Sequence, residues 1–342
     1  ALLRADALRS ALLIFGAAAL LLWGTTVPKG AKETFRTQPE AGLARRRTAA
    51  LAVCVLILAD LFVAGHRYLG KDDFVSPRNF DAQFDQRPVD EWILEDPDPS
   101  YRVLDLTVNV FNDSHPSYWH KNIGGYSPAK LRRYQDVIET YLTPEINALY
   151  KALNGAQTLG DFEDAMPDMP VLSALNCRYI IVGEDISPAV NAQAFGNAWF
   201  IAGRPGYASP QEEFAALGDV ALQRVDPEGD EIELVSYAPN ELRYRVRTAR
   251  PRSAVFSEVY YPDGWVARLE DGSELEVYSV DWILRGVDLP AGSHELVMRF
   301  EPKSVSASAA VSRASSILLI LLLLGSAALV ILESRKKEEN GS

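Results

Sequence analysis

The stretch ASSILLILLLLGSAALVIL, residues 314–332, carries no charged side chain and consists mostly of Ile, Leu and Ala. A helix of this length extends about 28 Å, close to the thickness of the hydrocarbon core of a membrane. A helix packed on the core of a soluble protein keeps a polar stripe along one side, and this sequence has no such stripe. We therefore predict a transmembrane helix here.

Two further apolar stretches lie near the start of the chain. Residues 10–28 carry no charge, and residues 48–65 carry only Asp60, so each is long and apolar enough to cross a membrane. A signal peptide is the alternative for the first stretch, but no small-x-small cleavage site follows it. We expect three spans, at about 10–28, 48–65 and 314–332, and we expect the chain to be part of a longer membrane protein.

The basic residues predict the orientation of these spans. Short cytoplasmic loops are rich in Lys and Arg, which places the predicted loop 29–47 and the tail after residue 332 in the cytoplasm. Residues 66–313 then lie on the extracytoplasmic side of the membrane. The basic residues are Lys29, Lys32, Arg36, Arg45, Arg46 and Arg47 in the loop, and Arg335, Lys336 and Lys337 in the tail.

Asp60 is the one acidic residue inside a predicted span. An ionisable side chain within a membrane is a candidate functional residue. The alternative is a carboxylate near the outer membrane surface, since Asp60 lies about five residues, or about 7–8 Å of helix, from the end of the span. In that position it would cap the helix or pair with Arg67.

Composition excludes several kinds of site. The chain has 34 basic and 46 acidic residues, a net charge of −12, which argues against a nucleic-acid partner. Cys54 lies in a span and Cys177 in the middle region, so no disulfide is expected. No metal-ligand pattern, phosphate-binding loop or nucleophile motif occurs. We therefore expect no metal, no cofactor and no catalytic residue in this chain.

The middle region has two different patterns. Residues 66–229 read as a small α/β subdomain, with strands near 101–106, 178–182 and 197–201 and a helix that starts at Ser127-Pro128. A second helix is expected from Thr143-Pro144 to Gly155. Residues 230–304 alternate with a period of two and contain about seven short strands, which predicts an antiparallel β-sandwich. Residues 305–313 read as a linker to the third span.

The least periodic passage is the most unusual one. Residues 110–126 concentrate aromatic rings, histidines and a Gly-Gly pair, and basic residues follow them. Rings stack on sugar faces, while His and Lys bind hydroxyl or phosphate groups, so this passage is a candidate substrate-binding site. The alternatives are a structural loop, and ordinary pairing of the basic residues with Asp136 and Glu139. The candidate residues are His115, Tyr118, Trp119, His120, Lys121, Gly124, Gly125, Tyr126, Lys130, Arg132 and Arg133.

Several blocks resemble the YfhO family of bacterial membrane proteins, and together they cover most of residues 50–330. The blocks are DLF (60–62), RYL (67–69), FND (111–113), YWHK (118–121), IGGY (123–126), AKLRRYQ (129–135), LNCRYI (175–180), GNAWF (196–200), FSEVYYPDGW (256–265) and FEPKS (300–304). The resemblance implies a multi-pass protein of the bacterial cytoplasmic membrane, similar to GT-C glycosyltransferases that use polyprenyl-phosphate sugars. In that fold the catalytic acid lies in an earlier loop, so no catalytic residue is carried over.

Two functions follow as hypotheses. The first is the C-terminal portion of a glycosyltransferase in cell-envelope glycan or glycolipid assembly, with membrane lipids, a polyprenyl-phosphate sugar and a glycan or glycolipid acceptor as partners. The second is a non-enzymatic, membrane-anchored module that binds a glycan or a protein.

Overall fold

The structure is a computed structural model that describes residues 2–26 and 39–339. The chain divides into two compact units, residues 1–85 and 86–342, and each is described by itself. Of the basic residues predicted to orient the spans, Lys29, Lys32 and Arg36 lie outside the described residues.

The first unit contains an antiparallel pair of helices, α1 (Leu2–Thr25) and α2 (Pro39–Tyr68). Gly24 lies so close to α2 that a Cβ there would be 2.5 Å from the Cβ of Ala49, and small residues allow such close approach of helices. At the other end of the pair, Arg9 of α1 lies 3.2 Å from Asp60 of α2. Short helical segments follow, at Lys71–Asp73, α3 (Pro77–Asp81) and Ala82–Phe84.

The partner of Asp60 is therefore a residue of the preceding helix. The sequence predicted Arg67, whose side chain lies outside the described part of the chain. Asp60 reaches Arg9 because α1 and α2 run antiparallel, which brings the start of one helix beside the end of the other. This contact agrees with the alternative of a paired carboxylate.

Within the described residues, two helices are long and apolar enough to cross a membrane. They comprise residues 42–66 of α2 and residues 303–326 of the last helix, α11 (Lys303–Glu339). The apolar part of α1, residues 9–25, is shorter. The third span thus stays a prediction. The residues predicted as a linker, 305–313, belong to the first turns of α11, because Ser and Ala tolerate helical geometry.

The first part of the second unit is built around a three-stranded sheet. Strand β1 (Arg102–Asp105) runs parallel to β2 (Cys177–Ile181), which pairs antiparallel with β3 (Ala189–Val190). Residues 121–123 run along the free edge of β1, where Val103 N donates to Lys121 O at 2.8 Å. The helices of this part are α4 (Pro88–Leu94), α5 (Arg132–Val137), α6 (Thr143–Gly155), α7 (Leu159–Asp164), α8 (Pro170–Ala174), α9 (Pro210–Ala216) and α10 (Val220–Gln223).

The predicted helix start at Ser127-Pro128 is wrong, whereas the second helix has its predicted bounds, Thr143–Gly155, although it continues an earlier helix. Ser127 caps a turn, and α5 begins at Arg132. From there one continuous helix runs through a π-helical segment, Ile138–Leu142, into α6. A proline has no N–H to donate, and the wider π turn just before Pro144 accommodates this within a continuous helix. Gly155 ends the helix as predicted.

The second part contains two antiparallel five-stranded sheets. The alternation over 230–304 predicted about seven strands, and the structure has eight there, including β10 (Glu274–Leu275) and β11 (Val277–Val280), which follow each other closely but belong to different sheets. One sheet has the order β10-β9-β13-β7-β6, and the other β11-β12-β8-β4-β5. The strands are β4 (Ala198–Ile201), β5 (Arg224–Val225), β6 (Glu231–Ala238), β7 (Glu241–Thr248), β8 (Arg252–Val259), β9 (Trp265–Leu269), β10 (Glu274–Leu275), β11 (Val277–Val280), β12 (Leu284–Leu289) and β13 (Gly292–Phe300).

Side chains from both five-stranded sheets line one hydrophobic cluster. Phe256 and Val287 come from one sheet, and Tyr244 and Leu296 come from the other. Strands β4 and β5 precede residue 230, so one sheet combines strands from both predicted subdomains. On β7 the predicted alternation holds, with Leu242, Tyr244 and Val246 buried and Arg243, Arg245 and Arg247 paired with glutamates on neighbouring strands.

Candidate functional site

The two glycines of the passage 110–126 let the loop fold back on itself. A Cβ at Gly124 would lie 1.8 Å from the carbonyl oxygen of Val110, so only glycine allows this approach. Gly125 has a φ of +99°, a conformation that favours glycine, and its N–H donates to the same Val110 carbonyl at 2.7 Å. These glycines therefore shape the loop.

His120 and Lys121, which follow each other in this loop, enter two different clusters of polar residues. Residues 121–123 are extended along the edge of β1, and side chains alternate between the two faces of an extended segment. His120 meets Asp90, and Lys121 meets Tyr237 of β6. Neither contact could be read from the spacing of the two residues in the sequence.

His120 belongs to a buried cluster of polar and charged side chains, which we call the histidine cluster: Arg87, Asp90, Asp105 and His120. His120 Nε2 lies 2.8 Å from Asp90 Oδ1, and Arg87 binds both Asp90, at 2.8 Å, and Asp105, at 2.9 Å. Burial alone would raise the pKa of Asp90, but hydrogen bonds from Arg87 and His120 outweigh it and hold that pKa at about 2. Burial lowers the pKa of His120, so the ring is neutral and donates from Nε2.

This histidine cluster joins the start of α4 to the end of β1. Arg87 precedes Pro88, the first residue of α4, and Asp105 is the last residue of β1. The side chains of His120 and Asp90 are 0% and 1% exposed, which leaves no access for a substrate. The arrangement therefore serves stability.

Lys121 belongs to a second cluster, in which basic residues predominate. Lys121 Nζ lies 3.3 Å from the centroid of the Tyr237 ring, a cation–π contact. The Nζ atom is buried and has no hydrogen-bond acceptor in the part of the chain that the structure describes. Burial lowers the pKa of Lys121 to about 8, so at neutral pH the group is still largely an ammonium ion.

Glu258 of β8 is the carboxylate of this cluster. Its Oε2 accepts a hydrogen bond from Arg102 Nη2 at 3.3 Å, and its Oε1 accepts one from Asn197 Nδ2 at 3.2 Å. Asn197 Oδ1 in turn accepts from the Tyr244 hydroxyl at 2.6 Å. Arg102 also donates to the carbonyl of Leu175 at 2.7 Å. Both oxygens of Glu258 are thus already bound.

Arg285 of β12 is a third cation in this region and is only 4% exposed. Its guanidinium lies 3.7 Å from the Trp265 ring centroid, and its Nε donates to Val259 O at 3.0 Å. Its buried Nη1 has no hydrogen-bond partner among the described residues. Burial lowers the pKa of Arg285 to about 10, and the nearby charge of Glu258 opposes that shift.

We call Arg102, Lys121, Tyr237, Glu258 and Arg285 the basic cluster. Its three cations face the carboxylate of Glu258, and the charge of Asp98 also acts on Lys121. A cavity of about 480 Å³ has Asn197 in its lining together with the acidic residues Asp96, Asp98 and Glu233.

The other predicted site residues do not join the basic cluster. Arg132 pairs with Asp136 at 2.8 Å and is 83% exposed, which is the predicted ordinary pairing. Arg133 Nη1 donates to the Trp282 carbonyl at 2.8 Å. The remaining residues lie elsewhere in the loop: Lys130 lies over the Phe111 ring, the Trp119 indole N–H is buried, His115 N donates to Asp113, and Tyr118 and Tyr126 are exposed.

Sequence reasoning missed most of the basic cluster. A signal was present in the alternation of the predicted strands. Glu258 is in phase with the inward Ala254 and Phe256, and Arg285 is in phase with the inward Val287. A charged residue at an inward position is unusual and marks a buried polar site.

Comparisons with known proteins do not identify this chain: no family model, curated protein or solved structure matches it. Within the described residues, no group of three or more His, Cys, Asp and Glu side chains is placed to hold a metal ion. Arguments about function therefore start from the basic cluster and the apolar helices.

Proposed function

We propose that the chain is the C-terminal region of a GT-C-like glycosyltransferase of the bacterial cytoplasmic membrane, similar to the YfhO family. The enzyme would use polyprenyl-phosphate-linked sugars in cell-envelope glycan or glycolipid assembly. One observation carries the proposal: separate blocks that bear the resemblance meet in space. Lys121 comes from block 118–121, Asn197 from 196–200, and Glu258 from 256–265, and all three lie in or beside the basic cluster.

The proposal includes a membrane topology. In it, α1 joins α2 and α11 as a third span, and the unit between α2 and α11 faces the extracytoplasmic side. The two five-stranded sheets, which share core side chains such as Phe256 and Leu296, stack as a β-sandwich. This arrangement would hold the basic cluster on the side of the membrane where polyprenyl-phosphate sugars are used.

A transfer assay tests the enzymatic proposal. The full-length protein in detergent micelles is supplied with a polyprenyl-phosphate sugar and a membrane glycolipid extract, and labelled sugar in the product is counted. We expect transfer to fall at least about tenfold in Lys121→Met and in Glu258→Gln. Lys151→Met, an exposed lysine of α6, is the matched control and keeps full activity. Absence of transfer in the wild type contradicts the proposal.

A non-enzymatic glycan-binding module is the second candidate. Tyr118 and Tyr126 are 59% and 62% exposed on the same loop, and exposed rings stack on sugar faces. Binding of the chain to immobilised glycans, lost in Tyr118→Ala and Tyr126→Ala but kept in the exposed control Leu222→Ala, would favour this function. Such binding without any sugar transfer would decide between the two candidates.

A further inference from the structure

We infer that residues 69–84, which directly follow the apolar helix α2, lie along the surface of the lipid bilayer with Phe74 and Phe80 inserted into it. We call residues 69–84 the interfacial segment. The inference goes beyond the proposed function and rests on one part of it, the crossing of the membrane by α2. It does not depend on sugar transfer.

Large apolar side chains are concentrated at the end of α2 and at the start of the interfacial segment. Five of the thirteen residues 68–80 are large apolar residues that are more than half exposed. They are Tyr68 (86% exposed), Leu69 (62%), Phe74 (66%), Val75 (57%) and Phe80 (52%). Large exposed apolar surfaces mark sites that bind a partner or a membrane, so this cluster calls for a covering.

The position of the cluster favours the bilayer as that covering. Residues 42–66 of α2 extend about 37 Å, which exceeds the hydrocarbon core of about 30 Å. The end of the helix and Tyr68 therefore reach the headgroup region, where aromatic side chains are enriched. The interfacial segment continues from that point, so lipid is next to it in any membrane that α2 crosses.

A tight turn keeps the interfacial segment near the end of α2. Gly70 N donates to Asp73 Oδ2 at 2.6 Å, and Asp73 N donates to Gly70 O at 3.2 Å. Because the two ends of this turn bind each other, the chain gains little distance from α2 across it. Phe74 is the next residue along the chain and therefore also lies near the end of α2.

Helix α3 separates its ring from its charge. Ser76 Oγ caps the helix by accepting from Asn79 N at 3.2 Å, and the rings of Phe80 and Phe84 meet edge to face with their centroids 5.4 Å apart. Arg78 lies about 200° around the helix from Phe80. The apolar ring and the charged side chain thus lie on opposite sides, which is the arrangement of a helix that lies in a membrane surface.

The charge of the interfacial segment indicates that apolar contact, rather than attraction to charged headgroups, would hold it there. Residues 69–84 contain two basic and three acidic side chains, a net charge of −1. Anionic lipids attract segments with an excess of Lys and Arg, and this segment has no such excess. We therefore expect it to insert its rings into a bilayer whose lipids carry no net charge.

Nitroxide spin labels on the full chain in phosphatidylcholine nanodiscs test this inference. Oxygen concentrates in lipid and a nickel chelate stays in water, so the collision rates of the two reagents with a label report its surroundings. The label is attached to Phe80→Cys or to Arg78→Cys, each in a Cys54→Ala background. A label on the exposed native Cys54, at the middle of residues 42–66, is the reference for lipid. Cys177 stays unlabelled, because it is buried and burial raises the pKa of its thiol.

We expect the ratio of oxygen to nickel collisions to be high at Cys54, intermediate at Phe80→Cys and low at Arg78→Cys. Adding Phe74→Ser should lower the ratio at Phe80→Cys, because the segment then loses its other inserted ring. The control Leu222→Ser removes an apolar side chain that is 83% exposed elsewhere in the chain and should leave the ratio unchanged.

Equal ratios at Phe80→Cys and Arg78→Cys overturn the inference. A Phe80→Cys label that neither reagent reaches also overturns it, because protein rather than lipid then covers the segment. A low ratio at Cys54 would show that α2 does not cross the membrane, and the proposed topology would fail together with the inference. A high ratio at Cys54 with a low one at Phe80→Cys leaves α2 as a span and refutes the interfacial segment alone.

Discussion

Replacing Asp90 by Asn removes one carboxylate from the buried histidine cluster while keeping the shape of the side chain. In the native structure Asp90 accepts hydrogen bonds from Arg87 at 2.8 Å and from His120 at 2.8 Å. The side chains of Asp90 and Arg87 are 1% and 11% exposed. In the variant, water cannot replace the lost carboxylate, and Arg87 keeps only Asp105 as a buried partner.

The magnitude follows from the burial and from the pKa of Asp90. Removing one partner of a buried ion pair lowers stability by about 3–5 kcal/mol, and the bond from Arg87 to Asp105 places this case at the lower end. A pKa of about 2 in place of 3.8 corresponds to about 2.5 kcal/mol. We therefore expect Asp90→Asn to lower the free energy of unfolding by about 3 kcal/mol and the Tm by about 6–12 °C.

The assay is thermal unfolding of the full chain in micelles, followed by tryptophan fluorescence at pH 7 and at lower pH. Because the folded-state pKa of Asp90 lies below its ordinary value, its contribution is present above about pH 4 and is lost as the pH falls toward 2. The gap between wild type and Asp90→Asn should shrink over that range.

The matched control is Asp136→Asn, which breaks the exposed pair with Arg132, at 2.8 Å and with Arg132 83% exposed. An exposed pair contributes less than about 1 kcal/mol, so this variant should unfold within about 4 °C of the wild type. Equal effects of the two substitutions, or a gap that stays constant down to pH 2, would refute the reasoning from burial.

Three further predictions use the same unfolding assay. Lys121 has a folded-state pKa of about 8 instead of 10.5, so the unfolded chain binds more protons and wild-type stability should rise relative to Lys121→Met from pH 8 to 10.5. Burial raises the pKa of Glu145 to about 7 from 4.5, so stability should fall as the pH rises through this window, and Glu145→Gln should lack that fall. Gly124→Ala would place a Cβ 1.8 Å from the carbonyl oxygen of Val110, so it should lower the Tm by at least about 6 °C. In the control Gly203→Ala the new Cβ meets no atom of the described residues within 4 Å, so the Tm should stay unchanged.

Much of the fold could be predicted from local patterns in the sequence. Long apolar stretches predicted α2 and α11, and alternation along 242–248 predicted which side chains of β7 are buried. These features depend on neighbours in the chain, since a strand with one buried face repeats every two residues and a membrane helix must be apolar all round. The same reasoning placed a helix start at Ser127, but Ser127 caps a turn and the helix begins at Arg132.

Contacts between distant parts of the chain were decided by the tertiary structure alone. The sequence drew attention to Lys121 but grouped it with its neighbours, such as Arg132, which lies elsewhere. Its partners in the basic cluster come from β1, β6, β8 and β12, more than a hundred residues apart at the extremes. Sheet register and the burial of apolar faces bring these strands together, and neither is written in a local pattern. For this reason the sequence by itself determined the apolar helices and the strands, whereas only the folded chain determined which charged side chains meet in its interior.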